Sequence, residues 1–152
     1  MIIAPLPADY TELIAVWERS VRATHHFVSE ADIRYYKPLI REQYFPELQL
    51  FGYRDAGDFC GFGGVDGDKL EMLFIDPAVR GCGIGKKLLL HAIFAYQVKK
   101  VDVNEQNEQA VGFYRHMGFQ TVSRSPLDAA GKPYPILSME LTEKQAAPRK
   151  QD

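Results

Sequence analysis

Cysteine is nearly absent: Cys60 and Cys82 are the two in 152 residues. Two thiols are too few for a disulfide framework or a cysteine-built zinc site. No apolar run approaches the roughly 18 residues that a membrane-spanning helix needs. The start, Met1-Ile2-Ile3-Ala4-Pro5, has no basic stretch and is interrupted by Pro5 and Pro7, so no signal peptide is expected. No charge excess exists either. Eighteen Lys and Arg against 20 Asp and Glu leave a net charge of −2, which offers no general attraction to nucleic acid or a membrane. No His, Asp and Glu group has metal-ligand spacing, so no metal is expected. Repeats, domain linkers and low-complexity tracts are also missing. A reducing, cytoplasmic setting follows as the expectation.

What is present is an ordinary globular composition, 46% hydrophobic and 25% charged. The length supports one domain over residues 1–143, with the polar stretch 144–152 expected to be a flexible tail. Leu13, Val16, Trp17 and Val21 recur at helical spacing after Asp9. Ser29, with Asp32 three residues on, reads as the cap of a second helix. Pro38 is expected to bend or split that helix. Three strand-like runs follow, over 48–54, 59–65 and 69–75, separated by Asp55-Ala56-Gly57-Asp58 and Asp66-Gly67-Asp68. Short polar turns of this kind predict an antiparallel meander. The remainder reads helix, strand at Val101 and Val103, helix from Asn107, then two strands. Asn107 is a plausible N-cap, and Gly118 sits where a helix-ending glycine belongs. The predicted fold class is α/β, a mixed and mostly antiparallel sheet with helices on both faces.

The chain is organised around Lys69 to Leu88. An apolar strand stops at Pro77, a loop follows with Gly81, Gly83 and Gly85 at alternate positions, and good helix formers come next. Strand, glycine loop and helix N-terminus together hold phosphates, because the loop backbone can approach the ligand and the first helical N–H groups lack partners. The dinucleotide pattern G-x-G-x-x-G fails, since Lys86 stands at its last glycine. The P-loop pattern fails at Arg80 and again at Lys87. What remains is R-x-x-G-x-G, carried by Arg80, Gly83 and Gly85.

Ile75-Asp76-Pro77-Ala78-Val79-Arg80-Gly81-Cys82-Gly83-Ile84-Gly85 resembles the acyl-CoA loop of the GCN5-related N-acetyltransferases (GNAT). A second block, from Val103 through Asn107, Ala110 and Tyr114 to Gly118-Phe119, resembles the next strand and helix of that family. The two blocks together are a specific signal, and the order of elements agrees over nearly the whole chain. The resemblance implies a single-domain GNAT-like fold, with a central sheet splayed between its fourth and fifth strands. It implies acetyl-CoA as co-substrate, no metal, and transfer of the acetyl group to a primary amine in a ternary complex. A protein lysine, an N-terminus or a small-molecule amine all qualify as acceptor, and a monomer or homodimer is expected. A non-catalytic acyl-CoA-binding module is the alternative.

The resemblance also implies residue roles. Arg80, Gly81, Cys82, Gly83, Ile84, Gly85 and Lys86 would hold the pyrophosphate. Leu73, Phe74 and Ile75 would pair by backbone with the pantetheine arm, as a peptide adds to a sheet edge. Asn107 would bond that arm, and Phe113 would pack beside it. A backbone N–H near Ile75 would serve as oxyanion donor. Tyr114 would be the general acid, with a hydrogen-bonded core tyrosine as the alternative. For the general base, Glu71 lies on the central strand. Strict alternation puts it on the face of Leu73 and Ile75, and a bulge would change that. His25 and His26 are acceptor contacts or bases, or solvated loop residues. Tyr134 lines the acceptor site or anchors its loop. No acidic cluster is apparent near the acceptor groove.

Overall fold

The computed structural model describes residues 1–142; residue 143 and the expected tail at 144–152 lie outside the described residues. The chain runs β1 (Ile2–Ile3), α1 (Tyr10–Thr24), α2 (Glu30–Leu39), β2 (Gln49–Asp55), β3 (Asp58–Asp66), β4 (Lys69–Ile75), α3 (Ile84–Tyr96), β5 (Lys100–Asn104), α4 (Glu108–His116), β6 (Phe119–Ser125) and β7 (Ile136–Leu141). The seven strands form one sheet in the order β1-β2-β3-β4-β5-β7-β6. Every neighbouring pair is antiparallel except β4 and β5. The expected meander is β2-β3-β4, and the expected crossover is β4-α3-β5. No described helix is long and apolar enough to cross a membrane.

The sheet separates two apolar layers. On one side α1 buries Leu13, Val16, Trp17 and Val21 against Phe45, Phe62 and Met72. On the other, Leu88, Leu89 and Ala92 of α3 and Val111 of α4 pack on Leu70, Val101 and Met139. Ser29 caps α2 as expected, accepting the Asp32 N–H at 3.1 Å. Pro38 does not split the helix. α2 runs through it to Leu39, and the departure from α geometry comes afterwards, as a π turn over Ile40–Tyr44.

The glycines of β3 are close-packing positions. A Cβ at Gly63 would come within 2.4 Å of the Phe51 ring on β2. One residue further, the register of β3 and β4 shifts: Gly64 faces Met72 while Val65 faces Leu70. Glu71 is therefore the extra residue of a bulge, and Leu70 and Met72 belong to opposite apolar layers.

This packing predicts that Gly63→Val destabilises the protein by about 1–3 kcal/mol, the usual cost of overfilling a close-packed site. Urea unfolding checks it. An unchanged midpoint would mean that Phe51 has room to move aside.

Candidate active site

β4 and β5 are paired at two positions only, Lys69 with Lys100 and Leu70 with Val101. Beyond them β4 stays with β3 as far as Ile75, and β5 stays with β7 as far as Asn104. The strands part, and a cavity of ≈ 380 Å³ lies at the opening. The Asp76 N–H bonds to the Cys60 carbonyl on β3 at 2.8 Å. By strand alternation the Phe74 backbone also faces β3, so the backbones of Leu73 and Ile75 face the gap. Their side chains pack on the α3 layer, and Phe74 packs on the α1 layer.

The loop between β4 and α3 borders the same cavity. Asp76 anchors its start. One carboxylate oxygen accepts the Ala78 N–H at 3.0 Å, and the other accepts the Arg19 guanidinium at 2.7 Å. Burial works against that charge, but these two partners hold the Asp76 pKa below its ordinary value. Gly81 and Gly83 take φ of 87° and 80°, the left-handed region that glycine alone enters without strain. Gly83 occupies the N-cap of α3, and no side chain caps the helix. Among the described residues, the N–H groups of Gly83, Ile84, Gly85 and Lys86 have no backbone partner. Unpaired N–H groups at the positive end of a helix suit an anion.

α4 supplies the opposite wall. Asn107 is its N-cap and accepts the Ala110 N–H at 3.3 Å. Phe113 and Tyr114 face the cavity together, with ring centroids 5.3 Å apart. Tyr114 is 6% exposed. Its hydroxyl has no protein hydrogen-bond partner among the described residues and is not sealed from the cavity. Burial raises the Tyr114 pKa, so the hydroxyl keeps its proton and has one to donate near neutral pH.

At the fork of the strands sits a polar cluster. The Lys69 ammonium pairs with Asp102 and lies 3.5 Å from the Glu71 carboxylate. The Ser138 hydroxyl donates to Asp102 at 2.9 Å. Glu71 and Asp102 both border the cavity. Burial raises the Glu71 pKa, Lys69 opposes the shift, and Asp102 adds to it. A carboxylate with raised proton affinity is a stronger base.

Among the expected acceptor residues, His25 reaches the cavity, whereas His26 and Tyr134 do not line it. Cys82 is exposed on the outer side of the loop. Tyr134 anchors its loop: its hydroxyl donates to Asp32 on α2, and Lys132 pairs with Asp32 at 3.0 Å. Tyr36 likewise donates to Asp128. The loop between β6 and β7 is thereby strapped to α2. Sequence reading missed Asp102 and Lys69. The pairing of Leu70 with Val101 that brings Glu71 near Asp102 is a register of the assembled sheet, which the expected crossover alone does not specify. It also missed the acidic character of the fork. Among the described residues, no group of three or more His, Cys, Asp or Glu could hold a metal ion.

A splayed mixed sheet with a glycine-rich loop at a helix N-terminus defines a class of acyl-group-transferring domains, and comparison with known proteins places the chain within it. Residues 18–142 match the family described as the acetyltransferase (GNAT) domain, and the chain belongs to that family. It is 44% identical over 129 residues to the peptidyl-lysine N-acetyltransferase YjaB of Escherichia coli, covering 84% of this chain and 87% of that protein. The YjaB of Salmonella typhimurium is 46% identical over 129 residues, covering 84% and 88%. The solution structure of apo YjaB from Escherichia coli superposes with a TM-score of 0.84 at 41% identity, over 92% of this chain and 95% of that one. The PaiA N-acetyltransferase of Thermoplasma acidophilum, solved with coenzyme A, shares the fold at 21% identity and a TM-score of 0.71, over 92% and 98%.

The cluster at the fork makes a prediction. In an NMR titration the Glu71 carboxyl should titrate above its ordinary value of 4.5. Lys69→Met should move the midpoint further up, because removing the nearby cation disfavours the carboxylate. A midpoint that falls in the variant would show that Asp102, released from Lys69, turns away from Glu71.

Proposed function

We propose that this chain is an acetyl-CoA-dependent N-acetyltransferase that acts in the cytoplasm, with a lysine side chain of a peptide or protein as acceptor. The observation that carries the reading is the juxtaposition of an unpaired β4 edge with the open N-terminus of α3. The first suits an amide-bearing pantetheine arm and the second its pyrophosphate. The cavity between them is bordered by a tyrosine hydroxyl and a carboxylate. The name peptidyl-lysine N-acetyltransferase, carried by the relatives in two bacteria, supports the acceptor class.

On this reading the backbones of Leu73 and Ile75 align the arm, Phe74 turns its side chain to the acceptor side, and Asn107 and Phe113 flank the arm from α4. The loop from Arg80 to Lys86, with Gly81, Cys82, Gly83, Ile84 and Gly85 between, holds the pyrophosphate. The neutral amine attacks the thioester carbonyl carbon, and the Ile75 N–H receives the oxyanion. The carbon–sulfur bond then breaks, and the leaving thiolate takes a hydrogen bond or proton from Tyr114. Glu71 accepts the proton that the amine loses, directly or through water. A lysine-like amine has a pKa of about 10.4 and must be deprotonated before attack, so a base at the fork has a defined task. A purely binding module has no use for an unpartnered hydroxyl directed at the cavity.

Tyr114→Phe should lower kcat by about 10²-fold, the low end for a general acid, while the KM for acetyl-CoA changes little. Free-thiol release with acetyl-CoA and a panel of lysine peptides and small amines measures both. An unchanged kcat would remove Tyr114 from the acid role, and tight acetyl-CoA binding without transfer to any amine would favour the binding module. Glu71→Gln should reduce kcat/KM for the amine and abolish the acidic limb of its pH profile; retention of that limb would pass the base role to another group.

A further inference from the structure

His25 takes part in a chain of hydrogen bonds in which both of its ring nitrogens have a partner. The Thr24 hydroxyl lies 2.7 Å from the Ser20 carbonyl, which can only accept. Thr24 therefore spends its one proton there. The same oxygen lies 2.7 Å from His25 Nδ1, and the proton of that bond must come from the ring. Nε2 is then the bare nitrogen, and it lies 3.4 Å from the side-chain amide nitrogen of Asn107. Which end of the Asn107 amide is oxygen is settled apart from the ring, because the oxygen accepts the Ala110 N–H at 3.3 Å. Its NH₂ group thus donates to His25. Every donor and acceptor in the run from Ser20 to Ala110 has one consistent assignment.

This chain joins the C-terminus of α1 to the N-terminus of α4, elements that lie on opposite sides of the parted strands. The His25 ring is held further by Phe27 at 5.3 Å, which in turn meets Tyr134 at 6.1 Å. Burial, with a smaller contribution from His26, lowers the His25 pKa to about 4. The ring is neutral in the working range, in keeping with the single assignment above.

We infer that His25 is a positioning residue that fixes the Asn107 amide toward the acyl-CoA arm, and is neither the general base nor an acceptor contact. The inference rests on the acetyl-CoA reading of the cavity and adds to it a residue from the acceptor side. It ties the loop after α1 to cofactor affinity.

The tautomer gives a test that needs no activity. A long-range ¹⁵N–¹H spectrum of the wild-type protein should show His25 protonated at Nδ1, and a ring protonated at Nε2 would overturn the inference. The functional test uses acetyl-CoA itself. His25→Phe keeps the packing on Phe27 and removes both ring hydrogen bonds. The acetyl-CoA Kd, measured by calorimetry, should rise about five- to tenfold, the size of one lost hydrogen bond. The KM for the amine should stay within about twofold, and the acidic limb of the pH profile should not move. His25→Gln, whose side-chain oxygen can accept from Asn107, should recover most of the affinity. In an Asn107→Ala background the His25→Phe penalty should vanish. A lost acidic limb, a rise confined to the amine KM, or a full penalty in that background would each overturn the inference. Thr24→Val attacks the chain from its other end and should weaken acetyl-CoA binding in the same direction if His25→Phe fails to fold. A folded wild-type protein that does not bind acetyl-CoA would overturn the underlying reading, and this is visible before any variant is made.

Discussion

The structure turns on two backbone pairs, Lys69 with Lys100 and Leu70 with Val101, and on the absence of a third. Beyond those pairs each strand stays with its other neighbour, and the two halves of the sheet diverge. β5 is matched to β7 at five positions, and β4 follows β3 to its end. The bulge at Glu71 adds local twist just as the strands begin to part. Burying the freed peptide groups of Leu73 and Ile75 without partners would be costly, so the gap has to remain open to water or to a ligand. A cavity at this place is therefore a consequence of sheet pairing, and the loop, the helix end and the side chains around it are arranged about that opening.

The same division runs through the apolar core. α1 and α2 pack on one face of the sheet, α3 and α4 on the other, and Leu70 and Met72 send neighbouring positions of β4 into opposite layers. Polar contacts cross the gap at the fork and between the helices. Lys69 draws Glu71 and Asp102 together where the strands separate, and His25 meets Asn107 between the helices. Lys69 and its partners are about one-third exposed, so their pairing contributes at most about 1 kcal/mol to stability. Its effect is geometric: it fixes a carboxylate that the bulge has turned out of the regular alternation. The β6–β7 loop is held in the same fashion, with Asp32 receiving both Tyr134 and Lys132.

Legibility in the sequence followed locality. The glycine loop, the Asn107 and Ser29 caps and the helix-ending Gly118 are set by residues a few positions apart, and the structure has all of them. The order of elements could be read for the same reason, and the splay followed from the family resemblance. Pro38 was expected to bend or split its helix, and the α geometry ends one residue after it, giving way to a π turn over Ile40–Tyr44. The direction of Glu71 depends on a register shift against Gly64 and Val65, which no periodicity within β4 reveals. His25 finds its partner 82 residues away and Tyr134 finds Asp32 across 102. Pairings at such separation belong to the assembled fold, so a histidine in a loop and a tyrosine between two prolines carried no sign of their partners.

On the proposed mechanism Glu71 and Tyr114 share the proton transfers; both pKa values are raised, and the displacement divides those tasks unequally. A raised carboxyl pKa brings Glu71 closer to the proton affinity of the amine and makes it a better acceptor. A raised phenol pKa moves Tyr114 away from the leaving group. A thiol of the cysteine type has a pKa of about 8.5, and the phenol starts from 10.0 before burial lifts it further. Complete proton transfer from Tyr114 to the thiolate is then uphill by about 2 kcal/mol or more. On the proposed mechanism the larger part of the tyrosine's effect is a hydrogen bond that strengthens as negative charge gathers on sulfur. That effect needs the hydroxyl to stay protonated and uncommitted to any protein group, and burial beside Phe113 and Phe119 maintains both conditions.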